Sequence, residues 1–242
     1  MKKLAVVLSL TVASIAASPL AQAKTLQFGG YTWTVRNSTG GPGPNTFDEN
    51  NVWLDDSGAL HLKISHSSSG WTCAELYTND RLGFGSYQWY VTGQIDQLDD
   101  NVVFGLFPYP TSDVGPDTTN EIDIEFARWG NASYPNGNYT IYPTSLLLRP
   151  ASSTFNFSLN GNQTTQRIDW TSQSITLQSL AGFTDGNDNA FGNWTYAPRA
   201  TNLRIAQQPM PLHMNLWLFN GQPPKNNQEV EIVINAFKYT AP

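Results

Sequence analysis

The sequence has little cysteine, little positive charge and no long hydrophobic run beyond its first residues. Cys73 is the single cysteine, so no disulfide can form within the chain; we expect a small buried thiol, with dimerisation through it as the alternative. Lys and Arg number 13 against 19 Asp and Glu, which leaves no basic stripe for a phosphate backbone, so nucleic acid is not an expected partner. Beyond residue 17, no segment is apolar over the length that a bilayer requires.

The N-terminal residues have the organisation of an export signal. Met1-Lys2-Lys3 precedes an apolar run over residues 4–17, and Ala21-Gln22-Ala23 forms a small-x-small cleavage site. The pattern predicts a bacterial signal peptide at residues 1–23, one domain at residues 24–242, and a secreted or periplasmic location without membrane association after cleavage. The alternative is a membrane anchor, which the short apolar run and Pro19 disfavour.

The rest of the chain has the pattern of an antiparallel β protein. Short segments alternate apolar and polar side chains, as Leu60, Leu62 and Ile64 do with their neighbours. No segment after the leader shows sustained helical periodicity, and turn signals recur along the chain. We therefore predict an all-β fold, a two-sheet antiparallel sandwich. The turn signals are Ser57-Gly58, Asn136-Gly137, Asn160-Gly161, Asp185-Gly186 and Asn220-Gly221.

One pentapeptide, Glu121-Ile122-Asp123-Ile124-Glu125, alternates carboxylates with isoleucines. In a strand, this places three acids on one face and two isoleucines on the other. Side chains on one face lie roughly 7 Å apart, so the acids repel each other and at least one should bind a proton more tightly. One interpretation is a solvated polar strand face. The cost of three like charges in a row without a lysine favours the other, a functional site.

The spacing of the two glutamates suggests a particular chemistry. Glu121 and Glu125 lie about 13 Å apart along a regular strand, and their side chains can lean inward until the carboxyl groups are about 5–6 Å apart. That separation is typical of retaining glycosidases, in which one carboxylate attacks the sugar and the other protonates the departing oxygen. Asp123, between them, would share a hydrogen bond with the nucleophile.

At these residues the sequence resembles glycoside hydrolase family 16, the lichenases, laminarinases and their relatives, whose signature is Glu, apolar, Asp, apolar, Glu. Further motifs of the family resemble segments of this chain in the expected order, so that the resemblance spans most of the chain. These segments are residues 51–64, 73–78, 83–87, 168–171 and 214–217.

The resemblance implies a jelly roll with a carbohydrate cleft across its concave sheet, and it implies a role for each acid. Glu121 corresponds to the nucleophile, Asp123 to the assisting carboxylate and Glu125 to the general acid and base. No residue is inserted between Asp123 and Glu125, which is similar to lichenases and xyloglucan-active members; typical laminarinases have a β-bulge there.

Further residues are predicted to line the cleft and bind substrate. Aromatic faces pack on the C–H patches of sugar rings, which points to the aromatics nearest the acids. In relatives, residues at positions that resemble Glu75, Asn215 and Trp217 line the donor side of the cleft. Tyr77, however, stands where lichenases often have an arginine. The predicted substrate-binding residues are Glu75, Phe107, Tyr109, Trp129, Asn215 and Trp217. Trp33, Trp53 and Trp170 are assigned to the core.

These inferences predict a secreted, endo-acting retaining glycoside hydrolase that cleaves a β-linked polysaccharide, either a β-1,3-1,4- or a β-1,3-glucan. The alternatives are a transglycosylase of the same fold and a non-catalytic carbohydrate-binding or cell-wall protein. Galactans such as agar or carrageenan remain open as substrates. No cofactor and no metal is predicted, because no HExxH, paired-cysteine or EF-hand pattern occurs. We expect a monomer whose partner is the polysaccharide.

Overall fold

A computed structural model describes residues 23–242. Two large antiparallel sheets pack face to face, which confirms the predicted all-β sandwich. The predicted signal peptide lies outside the described residues, except for its last position. Across residues 23–242, no helix is long and apolar enough to cross a bilayer.

The first sheet contains residues 122–125 of the acidic pentapeptide. Strands are numbered in chain order, and neighbours in the following order are hydrogen-bonded. The strands are β1 (Thr25–Phe28), β2 (Tyr31–Val35), β8 (Ala74–Leu82), β17 (Met210–Leu218), β10 (Val102–Pro108), β11 (Ile122–Phe126), β12 (Gly137–Ile141) and β13 (Ala151–Phe155).

The second sheet covers the inner face of the first. Its strands, in spatial order, are β16 (Ala190–Tyr196), β15 (Ile175–Ala181), β14 (Gln163–Trp170), β9 (Gly85–Thr92), β18 (Val230–Thr240), β6 (Leu60–Ser67) and β5 (Val52–Leu54), and β7 (Gly70–Thr72) pairs with β6. The remaining elements are a ribbon of β3 (Ser38–Gly40) and β4 (Asn45–Phe47), a short helix α1 (Thr201–Arg204), and 3-10 turns at Glu49–Asn51 and Phe219–Gly221.

The core lies between the sheets because their strands alternate apolar and polar residues. In β17, Met214 and Leu216 are fully buried, whereas the side chains between them point to the opposite face. In β6, the predicted inward residues Leu60, Leu62 and Ile64 are also fully buried, which confirms that part of the prediction.

The tryptophan assignments are correct for two residues and wrong for one. Trp33 and Trp170 are buried in the core. Trp53 is instead partly exposed and stacks on His61, with ring centroids 4.8 Å apart. The correction has a simple cause: in β5 the neighbouring Val52 takes the inward position, so Trp53 points outward. Cys73 is buried and free, as predicted.

One of the predicted turn signals does not correspond to a hairpin turn in the structure. Asn136-Gly137 does not form a hairpin turn, because Gly137 is the first residue of β12 and pairs with Phe126 and Phe155. A Cβ at Gly137 would lie 2.3 Å from the Phe155 ring. Glycine is therefore required here for close packing rather than for a turn.

Candidate active site

The acidic strand presents its carboxyl groups to a cavity of about 590 Å³ on the outer face of the first sheet. Ile122 and Ile124 are fully buried in the core, and Glu121, Asp123 and Glu125 line the cavity, as the two-residue period predicts. The pairing of β11 with β12 is continuous from Ile122 to Phe126, so β11 has no bulge between Asp123 and Glu125.

The cavity brings together residues from distant parts of the chain. All nine predicted site residues line it: Glu75, Phe107, Tyr109, Glu121, Asp123, Glu125, Trp129, Asn215 and Trp217. Gly41 and Pro42 complete the lining together with five residues that sequence reasoning missed: Arg36, Asp117, Thr118, Tyr142 and His213.

Strand register sets the order of the residues across the cavity floor. Glu125 of β11 pairs with Gly105 of β10, Gly105 pairs with Asn215 of β17, and Asn215 pairs with Glu75 of β8. Paired residues point to the same face, so these four positions form one row across the sheet. A Cβ at Gly105 would lie 2.5 Å from Asn215 Oδ1. The glycine therefore leaves the space that the Asn215 amide occupies.

Burial holds protons on the acids. It raises the pKa of Glu125 to about 8, with a smaller contribution from the charge of Glu121. Burial likewise raises the pKa of Glu121 to about 7, against a hydrogen bond with Asp123 that lowers it. The pKa of Asp123 is also raised, first by burial and then by both glutamates. The sequence predicts repulsion as the cause; in the structure the loss of water is the larger effect.

Glu75 differs from the other carboxylates because both of its oxygens have a basic partner. Arg36 Nη1 donates to Oε2 at 2.7 Å, and His213 Nδ1 lies 3.1 Å from Oε1. Burial raises the pKa of Glu75, but His213 and Arg36 lower it by more, so that its pKa lies below the ordinary value. One end of the cavity thus holds an ionised carboxylate in a fixed orientation.

Arg36 is the arginine that contacts Glu75 in this cavity. It follows β2, and its backbone N–H donates to the Glu75 carbonyl at 2.9 Å. Its guanidinium lies 4.0 Å above the ring of Phe47. It also donates to the Gly41 carbonyl at 2.6 Å and to Ser38 Oγ at 2.9 Å. The side chain is therefore held on several sides.

His213 is fixed by aromatic rings as well as by Glu75. Its ring stacks on Phe107 and Tyr77, with centroids 5.3 and 5.1 Å away, and Tyr109 lies 5.5 Å away. His213 alternates with Asn215 and Trp217 along β17, so the period of the strand was a signal that could have identified it.

The glycine- and proline-rich loop at residues 40–44 borders the cavity, as Gly41 and Pro42 line it. Asn45 holds this loop in place: its Nδ2 donates to the Pro42 carbonyl at 2.7 Å and to the Leu218 carbonyl of β17 at 2.8 Å. The loop is thereby attached to the strand that carries Trp217.

Aromatic rings form another wall. The Trp129 ring lies 6.3 Å from Trp217 and 5.7 Å from Phe219. Trp217 Nε1 and Asn215 Oδ1 are buried without a hydrogen-bond partner in residues 23–242. Buried polar atoms are rarely left unpaired, so these two atoms are suited to hydroxyl groups of a ligand.

The backbone is strained on both sides of the acids. Thr118 has a φ of 66° and Trp129 a φ of 52°, and both line the cavity. Bulky and β-branched residues rarely adopt such angles, and those that do concentrate at functional sites. Arg128, the base nearest the acids in sequence, donates instead to the Tyr134 carbonyl at 2.8 Å. Nowhere in residues 23–242 are three or more His, Cys, Asp or Glu side chains arranged to hold a metal ion.

Several solved structures are similar to this chain in fold. A β-glucanase from Bacillus licheniformis has a TM-score of 0.65 and 20% sequence identity, over 91% of this chain and 98% of that one. A family 16 protein of mixed-linkage glucan use from Bacteroides ovatus, in complex with the product G4G4G3G, has a TM-score of 0.64 and 15% identity, over 86% and 94%. The fold is a jelly roll like that of family 16 glycoside hydrolases.

A third similar jelly roll comes from Mycobacterium tuberculosis and is named an immunostimulatory antigen and pseudo-β-1,3-glucanase. It has a TM-score of 0.64 and 16% identity, over 87% of this chain and 91% of that one. No protein-family model and no curated protein sequence matches this chain. At these identities the likeness establishes the fold alone, so the activity is inferred from the site.

Proposed function

We propose that this protein is an endo-acting retaining glycoside hydrolase of family 16 that cleaves a β-linked glucan, of the β-1,3-1,4 or β-1,3 type. One observation carries the proposal: Glu121, which immediately precedes β11, and Asp123 and Glu125 of β11 line one cavity, with pKa values raised to about 7 for Glu121 and about 8 for Glu125. Because both carboxyl groups lie in one buried site, the loss of the first proton disfavours the loss of the second, so one glutamate can be ionised while the other still carries a proton.

The first half of the reaction uses both glutamates. Ionised Glu121 attacks the anomeric carbon, and protonated Glu125 gives its proton to the departing glycosidic oxygen. The products are a covalent glycosyl-enzyme and a shortened polysaccharide. Asp123, which is 3% exposed and hydrogen-bonds Glu121, orients the nucleophile.

The second half regenerates the enzyme. Glu125, now ionised, takes a proton from water, and the resulting hydroxide displaces Glu121 from the anomeric carbon. Two inversions retain the β configuration. Glu75, Asn215 and Trp217 bind the donor sugars, and Phe107, Tyr109 and Trp129 supply apolar faces for sugar rings.

The leader-like N-terminus supports an exported location, where polysaccharides are found. We propose that the protein acts there as a monomer and without a cofactor. The second candidate is a carbohydrate-binding protein without catalysis, which the neighbour named a pseudo-β-1,3-glucanase favours. Three protonatable carboxyl groups in one buried row argue for catalysis, since a binding site gains nothing from the cost of burying them.

The deciding experiment measures reducing ends released from lichenan, laminarin, xyloglucan, agarose and carrageenan by the wild type and by Glu121→Ala. We expect short oligosaccharides from one polymer, and a loss of about 10³-fold or more in kcat in the variant. Azide should partly rescue Glu121→Ala and yield an α-glycosyl azide, because azide enters from the side that Glu121 vacates. The control is Glu229→Gln, which changes an exposed glutamate just before β18 of the other sheet and should retain activity.

Each alternative gives a distinct result. If the protein is retained by one polymer but releases no reducing ends, it is a carbohydrate-binding protein and not a hydrolase. Redistribution of chain lengths without new reducing ends would indicate a transglycosylase. Equal activity of Glu121→Ala and wild type would show that Glu121 is not the nucleophile.

A further inference from the structure

Acidic side chains outnumber basic side chains around the cavity. Five carboxyl side chains line it: Glu75, Asp117, Glu121, Asp123 and Glu125. Within residues 23–242, the basic side chains that line it are Arg36 and His213. Both are already engaged by the same carboxylate, Glu75.

Neither base is free to turn to a ligand. Arg36 is held by Glu75, Ser38 and Gly41, at 2.6–2.9 Å. His213 is held by Glu75 and stacked on Phe107. An anionic group on a sugar would therefore meet the ionised Glu75 carboxylate and find both bases of the cavity already paired with it.

We propose that Glu75 is a specificity-determining residue that restricts the cavity to uncharged sugars by occupying both Arg36 and His213. The excluded ligands are polysaccharides with sulfate or carboxylate substituents. This inference rests on the proposed function and narrows its substrate class. It excludes sulfated galactans such as carrageenan as substrates and retains neutral glucans and agarose.

The physical basis is the cost of bringing like charges together where water is scarce. At a few ångströms, two negative charges near a protein surface repel by several-fold more than they do in water. Neutral hydroxyl groups are attracted instead, because an ionised carboxylate of fixed orientation accepts strong hydrogen bonds from them. One side chain thus favours neutral sugars and disfavours anionic ones.

The test compares one polymer with and without charge. Affinity gels contain lichenan, or the same lichenan after chemical sulfation of most of its sugar residues; if the wild type retains another neutral polymer of the panel instead, that polymer is used. The quantity measured is the ratio of dissociation constants, sulfated over neutral. For wild type we expect a ratio of about ten or more at low salt, falling as salt screens the repulsion.

Two variants should move this ratio in opposite directions. Glu75→Gln releases Arg36 and His213, so neutral polymer should bind about tenfold more weakly and the ratio should fall toward one. Arg36→Gln leaves the negative charge of Glu75 less compensated, so the ratio should rise above that of the wild type.

Loss of structure alone would weaken the binding of both polymers equally and would leave the ratio unchanged. Thermal unfolding of each variant verifies its fold, and Glu229→Gln is the control with the wild-type ratio.

Failure of the inference can be told apart from failure of the proposed function. If the wild type binds neutral polymer but the ratio is the same in Glu75→Gln, the inference is overturned and the function stands. Tighter binding of sulfated than of neutral polymer by the wild type also overturns it. If the wild type neither binds nor cleaves any polymer of the panel, the proposed function fails and this inference fails with it.

Discussion

Replacing Glu125 with glutamine should stabilise the protein at neutral pH while it removes activity. Burial raises the pKa of Glu125 from an ordinary 4.5 to about 8. The folded state therefore holds this proton more tightly than the unfolded state does. As the pH rises from 4.5 toward 8, ionisation favours the unfolded chain, so the wild type loses stability over this range. Glutamine resembles the protonated side chain in shape and cannot ionise.

The size of the effect follows from the two pKa values. The difference corresponds to at most about 5 kcal/mol above pH 8, and to about 3 kcal/mol at pH 7. For a domain of this length, that is an increase in Tm of about 6–12 °C at pH 7. Below pH 4.5 both forms are neutral, and the difference between variant and wild type should vanish.

The assay is urea unfolding of wild type and Glu125→Gln at a series of pH values. A control is Glu229→Gln: Lys63, first by its hydrogen bond, lowers the pKa of Glu229. The ionised Glu229 carboxylate stabilises the folded protein at neutral pH, and this stabilisation is lost as the pH falls. Glu229→Gln should therefore not stabilise the protein at any pH. Equal stability of Glu125→Gln and wild type from about pH 5 to about pH 8 would refute a raised pKa at Glu125.

Three other predictions follow from the site and core. The pH profile of kcat/KM should be bell-shaped with limbs near 7 and 8, because Glu121 must be ionised and Glu125 protonated; a flat profile would contradict this. Gly105→Ala places a methyl group 2.5 Å from Asn215 Oδ1 and should cost about 1–3 kcal/mol of unfolding free energy or raise KM, unlike Gly186→Ala on an exposed loop. Burial raises the pKa of Cys73 to about 12, so a thiol reagent should modify it only after unfolding; a disulfide-linked dimer of native protein would show otherwise.

The parts of the site that the sequence predicted are those set by local periodicity. The alternation in residues 121–125 determines which face each acid takes, and the core accepts Ile122 and Ile124 as that pattern requires. The same rule applies to β17, where it would also have identified His213. It does not depend on knowing which strands are neighbours.

Long-range pairing supplied what the sequence did not predict. Arg36 reaches Glu75 because β2 pairs with β8, and Tyr142 enters the cavity because its backbone N–H donates to the Glu121 carbonyl at 2.9 Å. The pairing of one strand with another, which a single strand's periodicity does not reveal, decides both contacts. The interpretation of Asn136-Gly137 failed for a related reason, since only the packed ring of Phe155 shows why glycine is needed.

The row from Glu125 through Gly105 and Asn215 to Glu75 crosses four strands, one residue from each. Adjacent strands lie about 4.8 Å apart, so the backbones of Glu125 and Glu75 are about 14 Å apart. A substitution at Glu75 can therefore alter sugar preference without moving the acids. On such a sheet, evolution can change which polysaccharide is bound, one strand at a time, while the reaction stays the same.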